Sequence, residues 1–111
     1  MINEVTIQGR LMGTPTLRLD RAGIRRTMFS VACERDEVAD GSKKDVDYID
    51  CVAWGRKAQR ICSEFHQGEE VILTGRIQTS RTLEGGIQTK RVEVKIETIS
   101  LYSEEESEDT F

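Results

Sequence analysis

The sequence predicts an all-β protein, a five-stranded barrel with one helix between the third and fourth strands. Five segments carry apolar residues at every second position, the period of a strand with one buried face. One segment between the third and fourth strands instead has the 3.6-residue period of an amphipathic helix. Glycines lie inside the first and fourth strands, where a small barrel must bend to close. The 111 residues are enough for one compact domain.

The first two strands lie in the N-terminal third of the chain. Val5, Ile7 and Leu11 alternate with polar residues, and Gly9 between them predicts a bulge or sharp bend. Pro15 marks a turn, and residues 17–19 form a short extension before a second turn at residues 22–23. The second strand follows, with four residues on its inward face: Thr27, Phe29, Val31 and Cys33. A polar loop at residues 34–46 then leads to the third strand.

The third strand, residues 47–54, runs directly into the predicted helix. Residues 56–67 change period, because their apolar side chains recur at i, i+3, i+4 and i+7: Ala58, Ile61, Cys62 and Phe65. Gly68 follows this stripe, and we expect it to end the helix as a C-terminal cap.

The last two strands form a hairpin. The fourth strand contains Gly75 and the hairpin tip is LEGG at residues 83–86, before a fifth strand that runs to about residue 101. The inward residues of these strands are Val71, Leu73, Ile77, Val92, Val94 and Ile96. Five strands with a helix after the third is the order of the OB-fold barrel. The alternative is another small sheet with one packed helix.

The charge of the chain is unevenly distributed. The formal net charge is −4, but residues 103–111, SEEESEDTF, hold five of the 20 acidic residues and no basic one. The other 15 acidic residues face 16 basic ones, so residues 1–102 carry a net charge of +1. We therefore predict a domain at residues 1–102 and an acidic disordered tail at residues 103–111. A near-neutral domain can still bind phosphates if its cations cluster.

The cysteines, the N-terminus and the single histidine argue against a secreted, a membrane-spanning and a catalytic protein. Cys33, Cys51 and Cys62 form no CxxC pair, which favours free thiols in a reducing compartment, and residues 1–13 resemble neither a signal peptide nor a membrane span. We therefore expect a cytoplasmic protein. His66 is the only histidine, so no catalytic triad is available. We predict no enzymatic activity, no metal site and no cofactor.

The third strand carries the strongest functional signal. Because side chains alternate along a strand, Ile49 and its inward neighbours are small and apolar, whereas Tyr48 and Trp54 point outward. These two rings are ~20 Å apart at about 3.3 Å per residue, too far to stack on each other. Each is a separate platform for an unpaired base, since stacking contributes about 1–3 kcal/mol per base and tolerates any sequence. The alternative is that the helix or a neighbouring subunit covers Trp54.

Basic and polar residues on the same side could complete a groove for single-stranded nucleic acid. Positive charge at a helix start opposes the helix dipole, and a bound phosphate would relieve that cost. Any single surface arginine can equally be a solvated side chain. The candidate contacts are Arg56 and Lys57 at the helix start, Arg10 on the first strand, Arg18 on the extension, and Arg76 and Gln78 on the fourth strand.

Three segments resemble the replication single-stranded DNA-binding proteins of bacteria and phages, a family often abbreviated SSB. NEVTIQGRLMGTPTLR at residues 3–18 resembles the opening of that family. DYIDCVAWGRKA at residues 47–58 is similar to its central strand and helix start, and HQGEEVILTGRIQT at residues 66–79 is similar to its fourth strand. The resemblance covers nearly the whole chain, and the motifs occur in the correct order and spacing.

The resemblance implies an OB-fold barrel that binds single-stranded DNA without sequence preference and assembles as a homotetramer, with a dimer as the alternative. It places base platforms at Tyr48 and Trp54 and basic contacts at Arg10, Arg18, Arg56 and Arg76. Other aromatic positions of the family are missing here, which implies weaker stacking or more reliance on charge. Arg81, Lys90 and Arg91 are the candidates to supply that charge.

The acidic tail also fits the resemblance. Family members end in an acidic segment tipped by Phe that docks on replication and recombination proteins, and here Glu108, Asp109, Thr110 and Phe111 match it. The long linker of the family is absent, which favours a phage protein or a shortened paralogue, nucleoid-associated or in the host cytoplasm. The alternatives are a solubilising tail and a barrel whose main ligand is a protein, as in the primosomal accessory protein related to this family.

Overall fold

The computed structural model describes residues 1–36 and 45–103, which form six strands and one helix. The elements are β1 (Val5–Leu11), β2 (Arg18–Leu19), β3 (Arg25–Glu34), β4 (Val46–Trp54), α1 (Gly55–Glu64), β5 (Glu70–Glu84) and β6 (Ile87–Leu101). The five long strands are those predicted from the sequence, and β2 is the short extension after Pro15. The helix lies where it is predicted, between the third and fourth long strands.

The sheet closes into a barrel. Its strands follow the order β1-β5-β6-β4-β3-β2, and an additional pairing joins β1 to β3. β1 pairs with β5 from Val5 to Arg10, and its last residues turn to β3, where Arg10 lies opposite Ala32. β4 and β6 run parallel, whereas the other pairings are antiparallel. This topology confirms the predicted five-stranded OB-fold barrel.

Inward side chains from every long strand meet in one core. The best-buried members, each below 2% exposed, include Leu11, Val31, Cys51 and Leu73. Ala58 and Ile61 of α1 pack on the same cluster and cover one end of the barrel. Fully burying one such aliphatic side chain contributes about 1.5–3 kcal/mol, so the shared core holds the curved sheet and the helix together.

Two glycines allow strands to approach closely, as the sequence predicts. A Cβ on Gly75 would overlap the carbonyl oxygen of Lys95, and the β5–β6 register shifts between Thr74 and Gly75. A Cβ on Gly9 would lie 2.8 Å from the carbonyl oxygen of Ala32. Both positions lie where neighbouring strands cross tightly, which is the local requirement for barrel closure.

The predicted end of the helix is wrong. α1 ends at Glu64, because Phe65 has extended backbone (φ −117°, ψ 141°) and donates its N–H to the Ile61 carbonyl. Phe65 leaves the helix and remains in the core at 3% exposure, so its place in the apolar stripe reflects burial alone. Gly68 has φ of +88° but belongs to the following turn, where its N–H donates to the Leu11 carbonyl at 2.9 Å.

Two hairpins diverge at one end of the barrel. β4 and β6 pair only where Cys51 and Val52 face Val94 and Lys95, and before these residues each strand stays with its antiparallel partner. In the β5–β6 hairpin, residues 81–90 are all exposed. Ile77 and Val92, predicted to face inward, are 47% and 54% exposed, because β6 pairs with β4 only from Val94 onward. At the loop end of the β3–β4 hairpin, the Arg35 guanidinium donates to both oxygens of Asp47 at 2.8 and 3.1 Å.

Candidate nucleic-acid interface

The outward side chains of β2, β3 and β4 share one surface, which we call the β3–β4 outer face. The strand register sets two rows across it, because directly paired residues point to the same side of a sheet. Arg18 pairs with Arg26, and Arg26 pairs with Trp54. Six residues away along β4, Tyr48 pairs with Ala32, and Ala32 pairs with Arg10 of β1. The first row therefore places Arg26 directly beside Trp54, and the second places Arg10 two strands away from Tyr48, across the small Ala32.

Tyr48 is the more open of the two platforms. Its side chain is 65% exposed, as expected for an outward aromatic residue opposite the small Ala32. Arg10 in the same row is already engaged, since Nη1 donates to the Gly68 carbonyl at 2.7 Å and Nη2 lies 3.8 Å from Glu70. These two contacts hold Arg10 in the Tyr48 row. They leave only part of the hydrogen-bond donor capacity of its guanidinium for a phosphate.

Trp54 is half-buried, and its cover comes in part from a residue that the sequence analysis does not single out. The guanidinium carbon of Arg26 lies 5.5 Å from the centre of the Trp54 ring, a cation–π contact. Trp54 is not among the residues that form or pack against the core cluster. Because Thr27 is predicted to face inward and side chains alternate along a strand, the sequence predicts that Arg26 points outward. Its pairing with Trp54 depends on the register of two strands, which no local sequence pattern reveals.

The middle of the β3–β4 outer face carries acidic groups. Ser30 donates its hydroxyl to Asp50 at 2.8 Å, and the other oxygen of Asp50 lies 3.9 Å from Arg91 Nη2. Arg91 Nε is also 3.4 Å from Glu93, whose side chain is only 8% exposed. Gln78, predicted as a DNA contact, donates to Glu93 at 3.5 Å. This cluster separates the two aromatic rows and neutralises Arg91.

Val52 lies on the same outward side and yet is 1% exposed. Met28 on β3 and Lys95 on β6 lie directly opposite it, so long side chains flank it on both neighbouring strands. The sequence correctly predicts the side of the strand to which Val52 points. Its burial depends on the neighbouring strands.

The two cations at the start of α1 differ in their surroundings. Arg56 is exposed, and no acidic side chain occupies the first turn of α1. Lys57 is also exposed, but its Nζ donates to the Ile96 carbonyl on β6 at 3.3 Å. Arg56 is therefore the freer of the two to meet a phosphate near Trp54.

Arg76 and Arg81 lie on opposite sides of β5. Arg76 extends the outward row that contains Val52 and Lys95, and it lines a recess with the N-terminal residues 1–4 and Glu97. Arg81 lies directly opposite Lys90 and points to the other side of the hairpin, because side chains alternate along a strand. The structure thus does not bring all predicted contacts onto a single continuous surface.

Several predicted residues lie outside the described residues. These are the tail residues Glu108, Asp109, Thr110 and Phe111. Asp45 and Asp47 both pair with Arg35. Across residues 1–36 and 45–103, no three His, Cys, Asp or Glu side chains gather in a way that could hold a metal ion.

All three cysteines are free, in agreement with the sequence analysis. Burial, followed by the nearby Asp50 carboxylate, raises the pKa of the Cys51 thiol to about 12. Burial also raises the pKa of Cys33. In contrast, the hydrogen bond from Arg35 is the main reason that the pKa of Asp47 is lowered.

No helix in the described part of the chain has the length and apolar content needed to cross a bilayer.

The fold and this face define a class of protein, an OB barrel with isolated aromatic residues and arginines on its outer sheet surface. Comparison with known proteins then identifies the family. The sequence model of the Single-strand binding protein family matches residues 2–102, so the chain belongs to that family. This confirms the resemblance noted from the three sequence segments. The family is not one of enzymes, in agreement with the predicted lack of catalysis.

Relatives from several bacteria are about one third identical to the chain over the residues that align. A single-stranded DNA-binding protein of Lactiplantibacillus plantarum is 35% identical over 103 residues, 91% of this chain and 51% of the relative. One from Fusobacterium nucleatum is 34% identical over 82 residues, 72% of this chain and 53% of the relative. Single-stranded DNA-binding protein A of Bacillus subtilis is 32% identical over 79 residues, 71% and 46% of the two chains. The chain spans about half the length of these curated relatives.

Proposed function

We propose that this protein binds single-stranded DNA without sequence preference, with the β3–β4 outer face as its main contact surface. The observation that carries the proposal is the pair of rows, in a chain of the single-strand binding family. Arg26 lies directly beside Trp54, and Arg10 lies across the small Ala32 from Tyr48. Unpaired bases stack on the rings, and the backbone phosphates between them meet the cations.

The geometry favours single strands over duplexes. Bases in a duplex are stacked on each other and cannot present a face to Tyr48 or Trp54. A single strand can place separate bases on the two rings and still keep its phosphates close to Arg10, Arg18 and Arg56. Stacking contacts the flat face of a base and not its hydrogen-bonding edge, so the proposed binding tolerates any sequence. Gln78, Lys57, Arg76 and Arg81 are secondary contacts in this proposal, because they lie away from the two rows or already donate to protein groups.

We propose further that the protein coats and protects single-stranded DNA in replication, recombination and repair, and recruits partner proteins through residues 103–111. The support for recruitment is the composition of this segment, five acidic residues and Phe111, which suits a basic and apolar pocket on a partner. Three free cysteines support a reducing, cytoplasmic location, on the nucleoid or in a host cell if a phage encodes the protein.

We also propose self-assembly into a homotetramer, with a dimer as the simpler form. Within the described residues, positions 5–9 of β1 pair with β5 alone and leave one strand edge open. Ile77 and Val92 nearby are 47% and 54% exposed. An open edge beside exposed apolar side chains is a surface that a second chain can cover. Light scattering should give a mass of two or four chains, and a monomer at working concentration would contradict assembly.

Fluorescence anisotropy with labelled oligonucleotides tests the proposed binding. Labelled oligothymidine should bind, the matching duplex should bind much more weakly, and Tyr48→Ala should lower affinity for the single strand. Loss of one stacked base, about 1–3 kcal/mol, corresponds to roughly 5–150-fold. Tyr102→Ala is the matched control, since Tyr102 lies outside the β3–β4 outer face, beside Glu70. Equal affinity for duplex and single strand, or no effect of Tyr48→Ala, would favour a barrel whose main ligand is a protein.

A further inference from the structure

Arg26 occupies space that a base needs on Trp54. Its guanidinium carbon is 5.5 Å from the ring centre, within the range at which a cation is held by an aromatic face. A base that stacks on this side of the indole must lie in the same position. The contact that half-covers Trp54 in the free protein is therefore in competition with stacking.

Within residues 1–36 and 45–103, Arg26 has a cation and no paired carboxylate beside it. Arg18 lies directly opposite Arg26, and like charges in directly paired positions destabilise a sheet. Neither arginine forms an ion pair with a carboxylate in the part of the chain that the structure describes. The recess beside them is lined by Thr16, Arg18, Arg26, Met28 and Arg91, without a carboxylate among the lining residues.

Arg91, the third arginine of this recess, has different surroundings. Its guanidinium is held by Asp50 and Glu93, which offset its charge. Arg18 and Arg26 are therefore the two cations of the recess without such an offset. A phosphate between them would reduce their mutual repulsion and give Arg26 a stronger partner than the indole, because charge-assisted hydrogen bonds exceed an exposed cation–π contact.

We infer that Arg26 is a further DNA-binding residue that changes partner when DNA binds. In the free protein it covers Trp54. In the complex it leaves the ring to a base and contacts, together with Arg18, the adjacent backbone phosphate. This inference rests on the proposed function, since it assigns a role within the same binding surface. Arg26 thereby couples stacking at Trp54 to phosphate binding beside it.

The exchange predicts an unusual dependence on salt. Arg26→Thr removes one phosphate contact, so the slope of log K against log salt should become shallower by about 0.7 for a single strand. The same substitution uncovers the ring, which removes a cation–π cost and should raise affinity about 2–5-fold once salt has screened the phosphate contact. The variant should therefore bind more weakly than the wild type at low salt and more tightly at high salt.

The experiment is a salt series of oligothymidine titrations on the full chain, with labelled-oligonucleotide anisotropy as the readout. Arg25→Thr is the matched control, because Arg25 is the next residue on β3, points to the other side and pairs with Leu19. Arg25→Thr removes one positive charge and introduces a β-branched threonine, as Arg26→Thr does. Arg26→Lys retains the charge and should keep the wild-type slope. Circular dichroism establishes that each variant is folded.

The outcomes separate this inference from the proposed function. Crossing of the wild-type and Arg26→Thr salt curves, with no crossing for Arg25→Thr, supports the exchange. Binding by the wild type, with Arg26→Thr weaker at every salt concentration or equal to Arg25→Thr, overturns the exchange and leaves the proposed function intact. No binding by the wild type overturns both.

Discussion

Asp50 gives the sharpest test of how charge is arranged between the two aromatic rows. It lies on the β3–β4 outer face, 3.9 Å from Arg91, and both side chains are nearly half exposed. Asp50→Asn removes one negative charge from the path of the DNA and releases Arg91 from one of its two carboxylates. The amide oxygen can still accept the Ser30 hydroxyl bond, so the local packing is kept.

The expected magnitude follows from this geometry. A unit charge about 4 Å away contributes about 1 kcal/mol in water and about 4 kcal/mol at an effective dielectric constant of 20. The exposure of both side chains puts this site near the lower value, so affinity for oligothymidine should rise about 5-fold at low salt. One additional phosphate contact should steepen the salt slope by about 0.7. Stability should change by less than about 1 kcal/mol, as for other surface pairs.

Anisotropy titrations at several salt concentrations measure both quantities. Glu64→Gln serves as the control, since it also removes one carboxylate from an arginine, Arg60, but on the helix. The control should show only the small effect of overall charge. If Asp50→Asn binds no better than Glu64→Gln, or binds more weakly than the wild type, DNA does not pass over the cluster of Asp50, Glu93 and Arg91.

Two further predictions concern the barrel itself. Gly75→Ala should lower the free energy of unfolding by about 1–3 kcal/mol in a denaturant titration, because the new Cβ would overlap the Lys95 carbonyl. Gly13→Ala, where a Cβ meets nothing within 4 Å, should be neutral or slightly stabilising, and equal losses at both positions would contradict the close approach. Cys51 should resist iodoacetamide in the folded protein at pH 8, since burial raises the pKa of its thiol to about 12. Between about pH 9 and 12 the Cys51 thiol keeps its proton in the folded protein but loses it in the unfolded chain. The free energy of unfolding should therefore fall as the pH rises through this range. Rapid modification of Cys51 without unfolding, seen by mass spectrometry, would refute its burial.

Local sequence patterns predict much of this fold because they report physical requirements of single strands and helices. Alternation along residues 47–54 correctly places Tyr48 and Trp54 on the outward side, since side-chain direction in a strand has a period of two. Gly9 and Gly75 predict close strand approach because any side chain there would clash. These signals need no knowledge of the neighbouring strand.

Features that depend on partners distant in the chain are harder to predict. The contact of Arg26 with Trp54, and the cluster of Asp50 with Arg91, arise from the register of separate strands. The predicted helix end is wrong for a related reason. Phe65 is apolar because the core needs it, and the pattern of apolar residues continues after the helical backbone has ended.

The emission of Trp54 during titration with oligothymidine reports base stacking on the β3–β4 outer face. The chain has a single tryptophan, so the signal reports this one ring. Base stacking on Trp54 predicts strong quenching on binding, reversed by added salt, and little change with duplex DNA. Oligothymidine that binds tightly by anisotropy and leaves the Trp54 emission unchanged would contradict stacking on this face.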